Sequence, residues 1–167
     1  GNTLAIGAAE NDGNGPSSGH VRVYNYDGTS WTQLGNDIDG EATVNRSGES
    51  VSLSSDGNTV AIGAFGNDGN GLGWGSGHAR IYNWNGSSWS QLGNDIDAEA
   101  SGDYSGWSVS LSADGNTVAI GAVNNDGNGN TSGHVRVYQN VGAFWSQIGN
   151  DIDGEAANDN SGYSVSL

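Results

Sequence analysis

One stretch decides the fold class: residues 105–122 read SGWSVSLSADGNTVAIGA. Large apolar and small residues alternate on both sides of Asp114-Gly115, so that Val109 and Leu111 share one face of a strand while serines share the other. Alternation with period two is typical of β-strands. Asp-Gly between two alternating runs favours a tight hairpin, because glycine takes a positive φ without a steric penalty. The stretch therefore predicts two antiparallel strands.

The same pattern occurs three times along the chain. The segment that begins at Gly115 also begins at Gly1 and at Gly57, with a period of 56 residues and two extra residues in the second unit. A Gly-His-x-Arg-x-Tyr segment and a Trp-containing segment recur after it in each unit. Each unit thus holds four short strands, and no window shows the 3.6-residue period of a helix. The units comprise residues 1–56, 57–114 and 115–167.

Four antiparallel strands repeating at this period predict an all-β chain of three β-propeller-type blades. Both faces of such a blade are covered by neighbouring blades, which fits strands with one bulky face and one face of small residues. A β-sandwich would instead show one polar, solvated face. The competing interpretation is that the small residues simply face solvent.

The quoted stretch and the segment GHVRVY at residues 133–138 resemble the FG-GAP-type blade of integrin-like β-propellers. They are also similar to tandem repeats of large secreted or surface proteins from marine and environmental bacteria. The resemblance covers all three units and implies a propeller fold and an extracellular or cell-surface location. It implies no single activity, because propellers host many functions. Integrin-type blades carry an Asp-rich calcium loop between their first two strands, whereas this chain has only Asp114 there.

The strand order that this resemblance implies places the two ends of the chain at different points of a blade. The first unit has no inner strand of its own. The third is followed by an inner strand without a blade, formed by Ser164, Val165, Ser166 and Leu167. Unpaired strand edges are templates for pairing, and known propellers have about 4–8 blades. We therefore expect an incomplete ring that is completed by other copies or by a longer chain.

The composition excludes several classes of function. The chain has 19 acidic and 4 basic residues and a net charge of −15, so nucleic acid and anionic membrane surfaces are repelled. It contains no cysteine, which excludes disulfides and thiolate chemistry. No apolar run approaches the ~18 residues of a membrane span. Because no nucleophile–base constellation is present, we expect no enzyme activity and no catalytic residues.

Alternating carboxylates follow the Trp-containing segment in each unit. They could supply oxygens to a hard cation such as Ca²⁺, or cap turns through bonds to their own backbone, which is the favoured interpretation. The Asn-Asp-Gly-Asn-Gly loops at 11–15, 67–71 and 125–129 leave the same two alternatives. We expect no metal ligand and no cofactor, with Ca²⁺ as the alternative. The carboxylates are Asp37, Asp39, Glu41, Asp95, Asp97, Glu99, Asp151, Asp153 and Glu155.

His20, His78 and His134 occupy equivalent positions in the three units, each two residues before an arginine. Equivalent positions in neighbouring blades lie about 10 Å apart, too far to share one ion. The histidines are therefore expected to bond nearby carboxylates and backbone carbonyls.

The tryptophans divide into recurring and variable ones. The recurring residues are expected to pack against the next blade, and the variable ones are candidates for stacking on sugar rings. The recurring ones are Trp31, Trp89 and Trp145, and the variable ones are Trp74, Trp84 and Trp107. Asn-x-Ser/Thr sequons occur at Asn45, Asn85 and Asn130, where glycosylation requires a source with that machinery.

These observations lead to two main hypotheses of function, and a calcium-dependent spacer, which would lose stability on chelation, is a third possibility. The first is an extracellular structural or adhesive repeat protein whose copies associate with one another through strand complementation, into a filament, matrix or surface layer. The near-identity of the units favours it. The second is a lectin- or adhesin-like propeller that binds a glycan or protein partner through variable loops, which are confined to 64–76, 101–104 and 157–160. Neither involves nucleic acid or membrane insertion.

Overall fold

The computed structural model describes residues 1–68 and 71–167. In these residues fourteen strands form three antiparallel sheets. The prediction of an all-β chain with three blade-like sheets is confirmed. No helix of the described part has the length and apolarity needed to cross a membrane.

The strands follow one another along the chain, blade by blade. Blade 1 contains β1 (Thr3–Ala8), β2 (His20–Tyr26), β3 (Trp31–Gln33) and β4 (Ile38–Asp39). Blade 2 contains β5 (Ser50–Leu53), β6 (Thr59–Ala64), β7 (His78–Trp84), β8 (Trp89–Gln91) and β9 (Ile96–Asp97). Blade 3 contains β10 (Ser105–Leu111), β11 (Thr117–Ala122), β12 (His134–Asn140), β13 (Trp145–Gln147) and β14 (Ile152–Asp153).

Each complete blade has an inner hairpin followed by a third strand and an interrupted outer strand. In blade 3, β10 pairs with β11 so that Val109 faces Ile120 and Leu111 faces Val118, as the alternating pattern predicts. A bulge lies between Ser105 and Ser108. β13 and β14 pair with opposite ends of β12 and together occupy the outer position. The sheets of blades 2 and 3 begin with the inner strand, so the unit boundaries at 57 and 115 fall inside the inner hairpins.

The hydrophobic core lies between the blades. One cluster joins residues of blade 1, such as Val21 and Ile38, to Val60 and Ile62 of blade 2. A second cluster joins blade 2 to blade 3 in the same way. Because the apolar residues of one sheet are covered by the next sheet, the nesting of a bulky face on a small face is confirmed, and the interpretation of solvent-facing small residues is wrong.

Glycine in the second strand sets how closely the blades approach. A Cβ atom on Gly63 would lie 1.9 Å from the carbonyl oxygen of Gly106 in the next inner strand, and one on Gly121 would lie 2.0 Å from that of Gly162. Any side chain here would collide with backbone. The contact between each second strand and the following inner segment is therefore possible only with glycine.

Candidate functional site

Each junction between blades contains the same tryptophan contact. Trp89 of blade 2 donates its Nε1–H to the carbonyl of Leu34 in blade 1 at 2.9 Å, and Trp145 of blade 3 donates to the carbonyl of Leu92 in blade 2 at 2.8 Å. Trp89 and Trp145 thus pack between blades as predicted, whereas Trp31 is exposed. They contact the preceding blade, however, and the predicted contact with the next blade is wrong.

An arginine crosses each junction in the same direction. Arg80 Nη2 donates to the carbonyl of Asp39 at 2.9 Å, and Arg136 Nη2 donates to that of Asp97 at 2.7 Å. The other terminal nitrogen of Arg80 lies 3.5 Å from Glu41 Oε1 of the preceding blade. The alternating-carboxylate segment of one blade therefore receives the arginine of the following blade.

Residues 161–167 dock on blade 3 as β10 docks on blade 2. The Ser108 hydroxyl donates to the carbonyl of Gly162 at 2.6 Å, and the Leu167 amide donates to Ser110 Oγ at 2.9 Å. The equivalent bonds between β10 and blade 2 run from the Ser50 hydroxyl and from the Leu111 amide. In the described chain residues 164–167 form no strand, because no second strand lies beside them to complete a hairpin.

Blade 1 exposes residues whose equivalents in blade 2 are buried at an internal junction. Leu4 and Ile6 of β1 are 42% and 48% exposed, whereas the equivalent Val60 and Ile62 of β6 are 0% and 1% exposed. In the described residues β1 pairs only with β2, so its other edge is open. We call this surface the leading face; it comprises Leu4, Ile6, Arg22 and Trp31, all exposed.

Blade 3 exposes the opposite side of the junction. Ile152 is 58% exposed, whereas the equivalent Ile96 of blade 2 is 6% exposed beneath blade 3. Leu167 is likewise exposed, whereas the equivalent Leu111 is buried. We call this surface the trailing face; it comprises Ile148, Ile152, Glu155 and residues 161–167.

A buried histidine lies among carboxylates at each junction. His134 Nδ1 is 3.9 Å from Glu99 Oε2 of blade 2, and 3.8 Å and 4.0 Å from Asp151 Oδ2 and Asp153 Oδ1 of its own blade. Neither ring nitrogen of this side chain has a hydrogen-bond partner. The prediction that the histidines hydrogen-bond nearby carboxylates and carbonyls is therefore wrong for His134.

The two other histidines have related surroundings. His78 Nδ1 lies 3.5 Å from Asp95 Oδ2, and Glu41 of blade 1 completes the group. His20 Nδ1 lies 3.4 Å from Asp37 Oδ2, with Asp39 as the third member and no carboxylate from a preceding blade.

Burial favours the neutral form of two of these imidazoles. It lowers the pKa of His78 to about 4, helped by Arg80 and opposed by Asp95. Burial also lowers the pKa of His134, helped by Arg136 and opposed mainly by Asp151. A neutral imidazole has one unprotonated nitrogen whose lone pair can accept a proton or bind a metal.

The inner hairpin, where the family resemblance would place calcium, does not fit that ion. Asp114 Oδ1 accepts hydrogen bonds from the Ser112 hydroxyl at 2.6 Å and the Asn116 amide at 3.0 Å, which lower the pKa of the carboxyl. Its other oxygen accepts from the Asn116 side chain. Calcium takes 6–8 oxygen ligands, whereas this turn offers one carboxylate that is already bonded on both oxygens.

The Asn-Asp-Gly loops also use their carboxylates to close turns. Asp12 Oδ1 accepts from the Ser17 amide at 2.8 Å, and Asp126 Oδ1 accepts from the Thr131 amide at 2.7 Å. The loop at 67–71 includes two residues outside the described part.

Two of the variable tryptophans belong to one aromatic cluster. Tyr104 lies between Trp74 and Trp107, with ring centroids 5.8 Å and 6.4 Å away, and Trp107 also contacts Phe65 and Tyr163. Trp74 and Tyr163 are exposed. The third variable tryptophan, Trp84, packs instead on Trp89.

The sequons differ in exposure. Asn85 and Asn130 are exposed, whereas Asn45 is buried and its Oδ1 accepts a hydrogen bond from the Ala42 amide. A glycan on Asn45 would have to displace this loop.

Residues 97–138 match the family model of the FG-GAP repeat. This segment is therefore similar to an FG-GAP repeat. The matched segment runs from β9 to β12 and contains the inner hairpin, Glu99, His134 and Arg136, so the family resemblance is confirmed on these residues. FG-GAP repeats typically occur in extracellular or surface proteins. A comparison with curated proteins finds no match.

The sequence pointed to only part of this surface. Residues 164–167 were predicted as an assembly strand, but the exposed Ile148, Ile152 and Arg22 were not singled out. A comparison of equivalent positions would have found them, because Ile152 repeats Ile38 and Ile96, which a following blade covers.

Proposed function

We propose that the protein is an extracellular, non-enzymatic structural or adhesive repeat protein whose copies assemble head to tail, with the trailing face of one copy on the leading face of the next. One observation carries this assignment: residues buried at the two internal junctions are exposed at the equivalent positions of the two end faces. A second copy of the chain supplies both complementary halves of that junction. The FG-GAP match supports an extracellular location.

The internal hairpins fix the expected strand register. In blade 2, Ser50 faces Gly63 and Leu53 faces Val60. By repeat equivalence, Ser164 of one copy faces Gly7 of the next, and Leu167 faces Leu4. Residues 164–167 thereby gain the ladder that they lack in the single chain, and β1 gains an inner strand.

Side chains on the two faces match as they do at the internal junctions. By repeat equivalence, Trp31 of one copy donates to the carbonyl of Ile148 of the neighbouring copy, as Trp89 and Trp145 do to the equivalent carbonyls within the chain. In the same way, Arg22 donates to the carbonyl of Asp153 and pairs with Glu155, both of the neighbouring copy. Because two different faces meet, the interface is heterologous and generates either a closed ring or an open filament.

The test uses the 167-residue chain in analytical ultracentrifugation over a wide concentration range, followed by electron microscopy. We expect assembly of the native chain, and loss of assembly on Leu167→Asp, which places a charge where an apolar side chain must be buried. Leu72→Asp is the matched control, because Leu72 is an exposed leucine outside both faces. A native chain that stays monomeric throughout would overturn the assignment and leave an adjoining repeat of a longer polypeptide as the occupant of these faces.

A second candidate function is glycan binding, and the aromatic cluster around Tyr104 favours it. Aromatic faces provide stacking surfaces for ligands, and exposed Trp74 sits edge-on to Tyr104 at the lengthened loop. We expect Trp74→Ala to abolish any binding seen on a glycan array, whereas Phe144→Ala, an exposed aromatic outside the cluster, should not. Equal binding by both variants would exclude this role for the cluster.

A further inference from the structure

The environment of His134 is unusual for a structural histidine. The side chain is 1% exposed, and both ring nitrogens are without a hydrogen-bond partner. A buried polar group without a partner costs about 1–3 kcal/mol, so the position is explained only if something else satisfies it. Three carboxylate oxygens surround Nδ1 at 3.8–4.0 Å, too far for hydrogen bonds.

These distances fit an ion bound between the groups. Zinc binds imidazole nitrogen and carboxylate oxygen at about 2.0–2.2 Å, and tetrahedral ligands at that radius lie about 3.4 Å apart. The separations around His134 are only a few tenths of an ångström longer. Adjusting the exposed Glu99 side chain would close its 3.9 Å separation, and Asp151, at 3.8 Å, requires a smaller shift.

The charges around the site also match a divalent cation. Glu99, Asp151 and Asp153 carry three negative charges, and Arg136 contributes one positive charge. Arg136 approaches Glu99 through Oε1, whereas Oε2 is the oxygen nearer to His134. The guanidinium therefore orients Glu99 and leaves the net charge near −2.

An open cleft leads to these carboxylates. It has a volume of about 530 Å³, and Glu99, Asp151 and Asp153 line it together with Asp103 and Asp126. An acidic entrance raises the local concentration of cations. The ligands are thus buried at the histidine end and accessible at the carboxylate end.

We propose that each blade junction is a zinc-type site, in which a buried histidine and an aspartate of one blade and a glutamate of the preceding blade bind one divalent transition-metal ion. The second junction uses His134, Asp151 and Glu99, and the first uses His78, Asp95 and Glu41. One imidazole with carboxylates favours zinc and similar metals over calcium, which prefers oxygen ligands alone. No metal ligand was expected because the three histidines are too far apart to share one ion, but each histidine lies close to carboxylates.

A third site depends on the head-to-tail assembly proposed above. His20 has Asp37 and Asp39 beside it but no glutamate from a preceding blade. In the assembly, Glu155 of the neighbouring copy takes that position. The metal then links copies as well as blades, so two zinc ions bind per single chain and three per assembled chain.

The test measures Zn²⁺ binding by calorimetry and Co²⁺ binding by its visible absorption bands, both in the non-associating Leu167→Asp background. We expect two zinc ions per chain, bands of tetrahedral cobalt, and weaker binding of Ca²⁺. Glu99→Gln should weaken binding at one site by at least about tenfold, since even outer-shell changes cost about 10–100-fold.

Glu155→Gln is the matched control, because Glu155 faces no histidine in the single chain. It should leave both sites intact in the Leu167→Asp background and lower the stoichiometry of the assembled chain from three to two. Absence of zinc binding in the single chain, or an equal effect of Glu99→Gln and Glu155→Gln there, would overturn the zinc sites. Two ions per chain with no third would retain the junction sites and count against the assembly alone.

Discussion

The pair Ile96→Ala and Ile152→Ala separates junction stability from association. Both residues occupy the same position of the repeat, but Ile96 is 6% exposed and Ile152 is 58% exposed. Burying an isoleucine fully contributes about 1.5–3 kcal/mol, and truncation in a core costs about 2–5 kcal/mol with the cavity included. We therefore expect Ile96→Ala to lower the free energy of unfolding of the single chain by about 3 kcal/mol, and Ile152→Ala by about 1 kcal/mol.

The remaining half of the Ile152 side chain is buried only when a second copy covers it. Half of about 3 kcal/mol is about 1.5 kcal/mol, which corresponds to roughly tenfold weaker association. Urea denaturation of both variants in the Leu167→Asp background measures the loss of unfolding free energy of the single chain. Sedimentation of Ile152→Ala in the otherwise native chain measures the weakening of association. Equal destabilisation of the single chain by both variants, or unchanged association of Ile152→Ala, would refute this reasoning.

Three further predictions concern the junction tryptophans, a strained loop and acid. Trp145→Phe should destabilise the single chain by about 1 kcal/mol through its lost hydrogen bond, whereas Trp31→Phe should leave thermal unfolding unchanged and weaken association. Val44 has a φ of 62°, which is strained for a β-branched residue, whereas the equivalent position is occupied by Asn158 with a φ of 67°. Val44→Asn should therefore raise the free energy of unfolding by about 1 kcal/mol, measured as a higher melting temperature. Burial lowers the pKa of His78 to about 4, so the unfolded state takes up a proton at this histidine at a higher pH than the folded state does. In metal-free buffer the folded state should therefore lose stability as the pH falls from about 6.5 to 4. A stability that does not change over this range in urea denaturation would contradict the prediction.

The sequence allowed the strands to be predicted because their signals are local. The alternation around Asp114-Gly115 and its recurrence at Gly57 specify hairpins, and the observed register pairs Val109 with Ile120. The bulge before Ser108 and the interruption of the outer strand were not foreseen. Both depend on how neighbouring sheets meet, which a period of two does not encode.

The contacts between blades were predicted less well, because they join residues 35–59 positions apart. The crossing of Arg136 to Asp97 and of Trp145 to Leu92 depends on the relative twist of two sheets. The same holds for His134 and Glu99, which belong to different units. Comparing each histidine with the carboxylates of the preceding unit is the step that would have found the junction site.

Head-to-tail polarity is tested most directly by mixing two variants that each lack one face. Ile6→Asp disables the leading face and Leu167→Asp disables the trailing face, so each variant alone should remain monomeric. A mixture should form 1:1 dimers and nothing larger, because the one intact trailing face meets the one intact leading face. Dimers or polymers from either variant alone, or no association in the mixture, would contradict assembly through these two faces.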